Sequence, residues 1–150
     1  MVANVSPIFS RTWDIQLAAA AIVGPSANTA TDGTGANTYV VFQADATEGS
    51  FVYKVSFKAI ASPAATVIRV FYCSATGTFT AGTTNTVANT TMIAELATVA
   101  WTASNTAASP QYEIPIMMGL PAGTRLLVTF GTSTGAAGNG FNPLVIGGKY

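Results

Sequence analysis

The sequence is short of ionisable side chains. Only 8% of its 150 residues are charged, six basic and six acidic, and it contains no histidine. Charged residues usually make up about a quarter of a globular chain. The absence of histidine excludes a Ser–His catalytic triad, zinc sites built from Cys and His, and an ordinary general base near neutral pH. Because a net charge near zero promotes association, we predict a surface that packs against other protein.

Cysteine and long apolar runs are equally scarce. The single cysteine, Cys73, excludes an intrachain disulfide and lies in an apolar, strand-like run, so we predict a buried structural thiol. The longest apolar run, residues 17–24, is too short for a membrane-spanning helix, which needs about 20 residues. No basic region precedes Pro7, so the start of the chain is a poor signal peptide. We therefore predict synthesis in the cytoplasm and no membrane partner.

The balanced charge also argues against a nucleic-acid partner. Proteins that bind nucleic acids concentrate Lys and Arg on one face. The only local basic cluster here is Lys54, Lys58 and Arg69, and a solvated sheet face explains it. We predict no nucleic-acid binding.

What the sequence does contain is a series of short β-branched and aromatic segments separated by Gly, Pro and Thr loops. This pattern predicts an all-β, single-domain, eight-stranded antiparallel sandwich that is jelly-roll-like. The predicted strands are residues 13–17, 39–44, 51–61, 66–73, 91–99, 111–117, 124–130 and 141–146.

The clearest strand is FVYKVSFKAIA, residues 51–61. Its period of two predicts that Lys54, Ser56 and Lys58 face solvent. The residues predicted to share the opposite, core-facing side are Phe51, Tyr53, Val55, Phe57 and Ala59.

Three other segments carry specific expectations. Residues 91–99 have apolar positions compatible with a helix turn, but their threonines and lack of caps favour a strand. Pro115 cannot donate a ladder hydrogen bond, so it predicts an edge strand or a bulge. Residues 74–90 read as a long loop, which in compact domains is usually functional or mobile.

We divide the chain into an N-terminal arm, residues 1–12, and a sandwich domain, residues 13–150. The arm has no clear period, and its apolar residues are Val2, Val5, Ile8 and Phe9. Two interpretations remain open: the arm covers the core of its own domain, or it docks onto a neighbouring subunit.

The candidate sites are few. We predict no catalytic residue, no cofactor and no metal site. Asp45 and Glu48 share a turn and are the best carboxylate pair, but turns recruit acidic residues simply because they are polar. Calcium binding at this turn or in the Asp32 loop stays an open alternative, although calcium takes six to eight oxygen ligands and no EF-hand spacing is present. The predicted partner-binding residues are Val2, Val5, Ile8, Phe9, Phe79, Trp101 and Tyr150.

Several segments carry a resemblance. They are ATVIRVFYCS at 65–74, MIAEL at 92–96, IPIMMGLPAGTRLLVTFGTS at 114–133, and the ending VIGGKY. Together they resemble small β-sandwich structural proteins of tailed bacteriophages and prophages, over roughly the C-terminal two-thirds of the chain. The turn and strand LPAGTRLLV is the most specific piece.

The resemblance implies a non-enzymatic virion protein, such as a head decoration or cement protein that binds the major capsid protein and stabilises the shell. It also implies a homo-oligomer, with a trimer favoured, on the capsid surface. The main alternative is a tail or fibre module that recognises a host-surface glycan. Further rivals are a carbohydrate-active enzyme using Asp45 and Glu48, and a cellular adhesion or surface-layer module.

Overall fold

The computed structural model of the chain describes residues 12–17 and 21–150, with only the backbone described for residues 14–17. Every regular element of this described part is a β-strand. The strands are β1 (Thr12–Leu17), β2 (Ile22–Val23), β3 (Tyr39–Gln43), β4 (Ser50–Ile60), β5 (Val67–Cys73), β6 (Thr90–Ala97), β7 (Gln111–Leu120), β8 (Arg125–Phe130) and β9 (Gly140–Lys149). The all-β prediction is confirmed. The count of eight was one too low, because the two-residue strand β2 lies in the apolar run that was not assigned to a strand.

The strands form two antiparallel sheets. The first sheet has the order β1-β9-β4-β7, with β2 also paired to β9, and the second has the order β3-β8-β5-β6. Apart from the pair β5 and β6, consecutive strands from β3 onward lie in opposite sheets, and β1 pairs with the last strand, β9. This double-sheet arrangement is the jelly roll that the loop-separated strands predicted.

The core lies between the inner faces of the two sheets, and a row of aromatic rings crosses it. Phe130 of β8 stacks on Phe141 of β9, with ring centroids 5.8 Å apart and planes 10° from parallel. Tyr39 meets Phe130 edge-on, and Tyr112 meets Phe141 edge-on, both at 6.1 Å. Phe130 and Phe141 are fully buried, so this row joins the two sheets at the centre of the molecule.

Strand β4 departs from the predicted alternation. Val55, Phe57 and Ala59 are buried in the core as expected, but so is Val52, whereas Phe51 and Tyr53 do not join the core. The reason is a β-bulge: Val52 pairs with Gly147 and Lys54 with Ile146, so Tyr53 is an extra residue opposite β9. A bulge places two successive residues on one side and reverses the alternation beyond it. The assignment of Phe51 and Tyr53 to the core face was therefore wrong.

The predictions for Pro115 and for residues 91–99 agree with the structure. Strand β7 lies at the edge of the first sheet, which satisfies Pro115. Residues 91–99 are confirmed as mainly strand, since β6 covers Thr90–Ala97. Among the described residues no helix is long and apolar enough to cross a lipid bilayer.

The long loop of residues 74–89, which we call the covering loop, packs on the outer face of the second sheet. There Phe79 joins a small cluster with Phe71, Cys73 and Leu127, which are buried, as predicted for Cys73. The amide of Asn85 donates hydrogen bonds to the carbonyl of Gly33 at 2.7 Å and to that of Gly35. The covering loop is therefore held by side chains at both the sheet and the neighbouring loop.

Candidate interaction surface

A groove opens on the outer face of the first sheet, where β1, β9 and β4 lie side by side. It has a volume of about 330 Å³ and is lined by Trp13, Phe51, Tyr53, Lys54, Ile146, Gly147 and Gly148. We call it the outer groove. Its lining is almost entirely apolar, although it faces solvent in the single chain.

The groove exists because two glycines stand between aromatic residues. Trp13 of β1 pairs with Gly148 of β9, and Gly148 pairs in turn with Phe51 of β4. The three residues therefore lie in one row across the sheet, and the middle one has no side chain. Trp13 and Phe51 form the walls, and the glycines form the floor.

The second glycine is required by the bulge. A Cβ on Gly147 would collide with the carbonyl oxygen of Phe51, so only glycine permits this approach of β9 to β4. The same bulge turns Tyr53 outward beside Phe51. The backbone of the IGGKY segment and the aromatic lining of the groove thus have one structural cause.

The apolar surface continues across β4 to the edge strand. A smaller depression of about 260 Å³ is lined by Tyr53, Lys54, Glu113, Pro115 and Met117. In the single chain Trp13 is 79% exposed, Tyr53 is 50% exposed and Met117 is 59% exposed. Large side chains at such exposure on one sheet face mark an interaction surface. We call this surface the outer apolar face, defined by Trp13, Phe51, Tyr53, Met117 and Ile146.

One ion pair crosses this face. Lys54 Nζ lies 2.8 Å from Glu113 Oε1, and the hydrogen bond from Lys54 lowers the pKa of the Glu113 carboxyl. The two charges therefore neutralise one another at the border between the two depressions. The charge of the groove's one cationic lining residue is thereby matched within the chain.

Of the predicted partner-binding residues, the three that the structure describes are not brought together. The four residues of the arm, Val2, Val5, Ile8 and Phe9, lie outside the described residues. The ring of Phe79 lies on the opposite sheet, 5.3 Å from the guanidinium carbon of Arg125, and Trp101 is half-buried with its amide bonded to Pro63. Tyr150 alone borders the outer apolar face, because its hydroxyl occupies the space that a side chain at Gly119 would need.

No pattern within a single strand indicates that Trp13, Phe51, Tyr53, Met117 and Ile146 form one surface. The alternating pattern assigned Phe51 and Tyr53 to the core, and Met117 was only the last residue of the predicted strand 111–117. Two signals were present in the sequence: three successive apolar residues, Phe51 to Tyr53, and the glycine pair at 147 and 148. A run of three makes the facing ambiguous, and paired glycines in a strand indicate a bulge or a close backbone approach.

The carboxylates of the two acidic turns, Asp45 and Asp32, accept hydrogen bonds from groups of their own turns. The carboxylate of Asp45 accepts hydrogen bonds from the amides of Thr47 and Glu48, at 2.9 and 3.0 Å, and lies 3.5 Å from Lys149 Nζ. These backbone hydrogen bonds, before the contribution of Lys149, lower the pKa of Asp45. Asp32 likewise accepts from the hydroxyl and amide of Thr34, which lowers its pKa. In the described part of the chain no three Cys, Asp or Glu side chains lie close enough to hold a metal ion.

Comparisons with protein-family models, with curated proteins and with solved structures find no match to this chain.

Proposed function

We propose that this chain is a non-enzymatic structural subunit of a virion, held in place by contacts between neighbouring protein subunits and its outer apolar face. The observation that carries the proposal is the exposure of Trp13, Tyr53 and Met117 on one sheet face of a chain with very few charges. A soluble monomer rarely exposes a large contiguous apolar patch, and such patches mark interaction sites. Aromatic residues and Met are also enriched in the cores of protein interfaces.

The lining of the outer groove favours a protein partner over a glycan. Specific recognition of a sugar requires a few well-placed polar groups around an aromatic surface. Here Lys54 is held by Glu113, and the other groove side chains offer only the hydroxyl of Tyr53 and the indole N–H of Trp13 for hydrogen bonding. Such a groove suits apolar side chains, so we favour the shell subunit over the glycan-binding fibre module.

The place within the virion is proposed from the resemblance and the topology together. Jelly rolls with two packed sheets are common among viral capsid domains, although they also form lectin domains and cupins. We therefore propose a head decoration or cement protein that binds the major capsid protein, as a trimer on the capsid surface. Held between subunits, such a protein needs few surface charges of its own.

Co-sedimentation with purified shells that lack this protein tests the proposal. The full chain should bind, and the Trp13→Ser/Tyr53→Ser variant should bind at least about thirtyfold more weakly, since an aromatic hot spot contributes 2 kcal/mol or more. Val87→Ser is the matched control, because Val87 is exposed in the covering loop on the other side of the molecule. Equal binding of both variants, or no binding of the full chain to any shell, would contradict the proposal.

A further inference from the structure

We infer that the outer groove receives residues 1–11 of a second copy of this chain. The inference rests on the proposed function, because it names one of the protein subunits that cover the outer apolar face. It follows from the chemistry of the groove, from the chemistry of the segment, and from where the segment joins the sheet.

The size and the apolar lining of the outer groove fit a small apolar ligand. Its volume of about 330 Å³ is at the lower end of the range for binding pockets. Trp13 and Phe51 stand on either side of Gly148, so the floor between them accepts side chains from above. With Lys54 matched by Glu113, no charge in the lining calls for a charged ligand.

The segment has matching chemistry. Residues 1–11 contain one charged side chain, Arg11, and the apolar side chains of Val2, Val5, Ile8 and Phe9. Eleven residues span up to about 36–40 Å when extended, which exceeds the width of a four-stranded sheet. The segment is therefore long enough to reach from one subunit to the groove of the next.

The point of attachment favours a second copy over the same chain. The groove begins at Trp13 and extends toward Ile146 and Lys54, in the direction in which β1 runs. Thr12, to which the segment is joined, lies on the other side of Trp13. To enter its own groove, the segment would have to turn back over β1, and residues 8–11 contain no glycine, proline, asparagine or aspartate and only the weaker turn residue Ser10. A segment from a neighbouring subunit needs no reversal, and its repeated exchange closes a symmetric oligomer.

The first test measures assembly by sedimentation velocity over a range of concentrations. The full chain should form an oligomer, and both Ile8→Ser/Phe9→Ser and Trp13→Ser should raise its dissociation constant at least about tenfold. Val99→Ser, at an exposed site outside the outer apolar face, should leave it unchanged. Loss of assembly in Trp13→Ser with no effect of Ile8→Ser/Phe9→Ser would overturn the inference but leave the proposed function standing. A monomer at every concentration overturns the inference; if the same protein also fails to bind shells, the proposed function falls with it.

The second test identifies whose segment occupies the groove. Chains carrying Phe9→Cys are mixed with chains carrying Tyr53→Cys, oxidised, and analysed by mass spectrometry. We expect a mixed disulfide between the two chains, while the native Cys73 stays unreacted because it is buried. Phe9→Cys mixed with Val87→Cys is the control and should not cross-link. Cross-linking only within single chains that carry both Phe9→Cys and Tyr53→Cys would show that each chain fills its own groove, and would overturn the inference.

Discussion

The aromatic row through the core gives the most quantitative prediction about the fold. Phe130 is fully buried, stacks on Phe141 across the two sheets and meets Tyr39 edge-on. Phe130→Ala removes a buried ring and leaves a cavity between the sheets, which costs about 3–5 kcal/mol. Phe130→Leu retains most of the apolar volume but loses both ring contacts, so we expect a smaller loss of about 1–2 kcal/mol.

Urea unfolding at one fixed protein concentration measures these losses as a lower midpoint at unchanged slope. For a chain of this size, 3–5 kcal/mol corresponds to a fall of roughly 6–20 °C in Tm. Val87→Ala at an exposed position is the matched control and should stay within about 0.5 kcal/mol of the parent. A loss below about 1 kcal/mol for Phe130→Ala would refute the inference that this ring joins the two sheets.

Three further predictions concern the bulge, the covering loop and an acidic turn. Gly147→Ala should lower Tm and weaken assembly together, since its Cβ would collide with the carbonyl oxygen of Phe51; unchanged Tm would count against the bulge geometry. Arg125 is 1% exposed and donates to the Gly77 carbonyl at 2.6 Å, so Arg125→Ala should lose a charge-assisted hydrogen bond of about 1.5–3 kcal/mol and speed hydrogen exchange in the covering loop. Hydrogen-exchange rates in the covering loop that are the same in the parent and in Arg125→Ala would contradict this role. Asp45→Ala should lower the stability of the folded protein at neutral pH. Because folding lowers the pKa of Asp45, the carboxylate stabilises the fold above its ordinary pKa, and this contribution is lost as the pH falls through the folded pKa. Thermal melts of parent and variant between pH 7 and about pH 2 check this, and a gap that widens on acidification would contradict it.

Much of the sandwich was predictable because alternation and turn chemistry are local signals. Strand β5 and the β8 region were assigned from β-branched and apolar runs. Pro115 predicted an edge strand or a bulge, and β7 lies at the edge of its sheet with a register shift next to Pro115. The two-residue strand β2 was not predictable, since two residues carry no period and its pairing with β9 is set by the tertiary fold.

The candidate surface was missed for a physical reason that lies outside any single strand. Which way Tyr53 faces depends on the register between β4 and β9, where Gly147 lets the backbones approach. On the other side, β7 accommodates the same irregularity with Met117 at a positive φ of 51°. Three strands distant in sequence share the bulge, so the alternation within β4 alone pointed two aromatic residues to the wrong side.

The buried arginine illustrates a similar limit. Arg125 was expected to belong to a strand, but nothing in the sequence indicated that its side chain would be covered. The covering loop places the Gly77 carbonyl and the ring of Phe79 over it, while within the described residues its Nε and Nη1 have no hydrogen-bond partner. The covering loop follows β5, whereas Arg125 belongs to β8, so the burial of Arg125 depends on the tertiary fold and not on the residues around it in the sequence.

The state of Trp13 tests the central claim most directly. In a Trp101→Phe chain, Trp13 is the only tryptophan, and it is 79% exposed in the single chain. Its emission wavelength and its quenching by acrylamide can be compared between dilute chain and assembled or shell-bound protein. If neighbouring subunits cover the outer apolar face, emission shifts to shorter wavelength and quenching falls on assembly. If Trp13 stays as red-emitting and as quenchable in the bound protein as in the dilute chain, that face is open to water and the account is wrong.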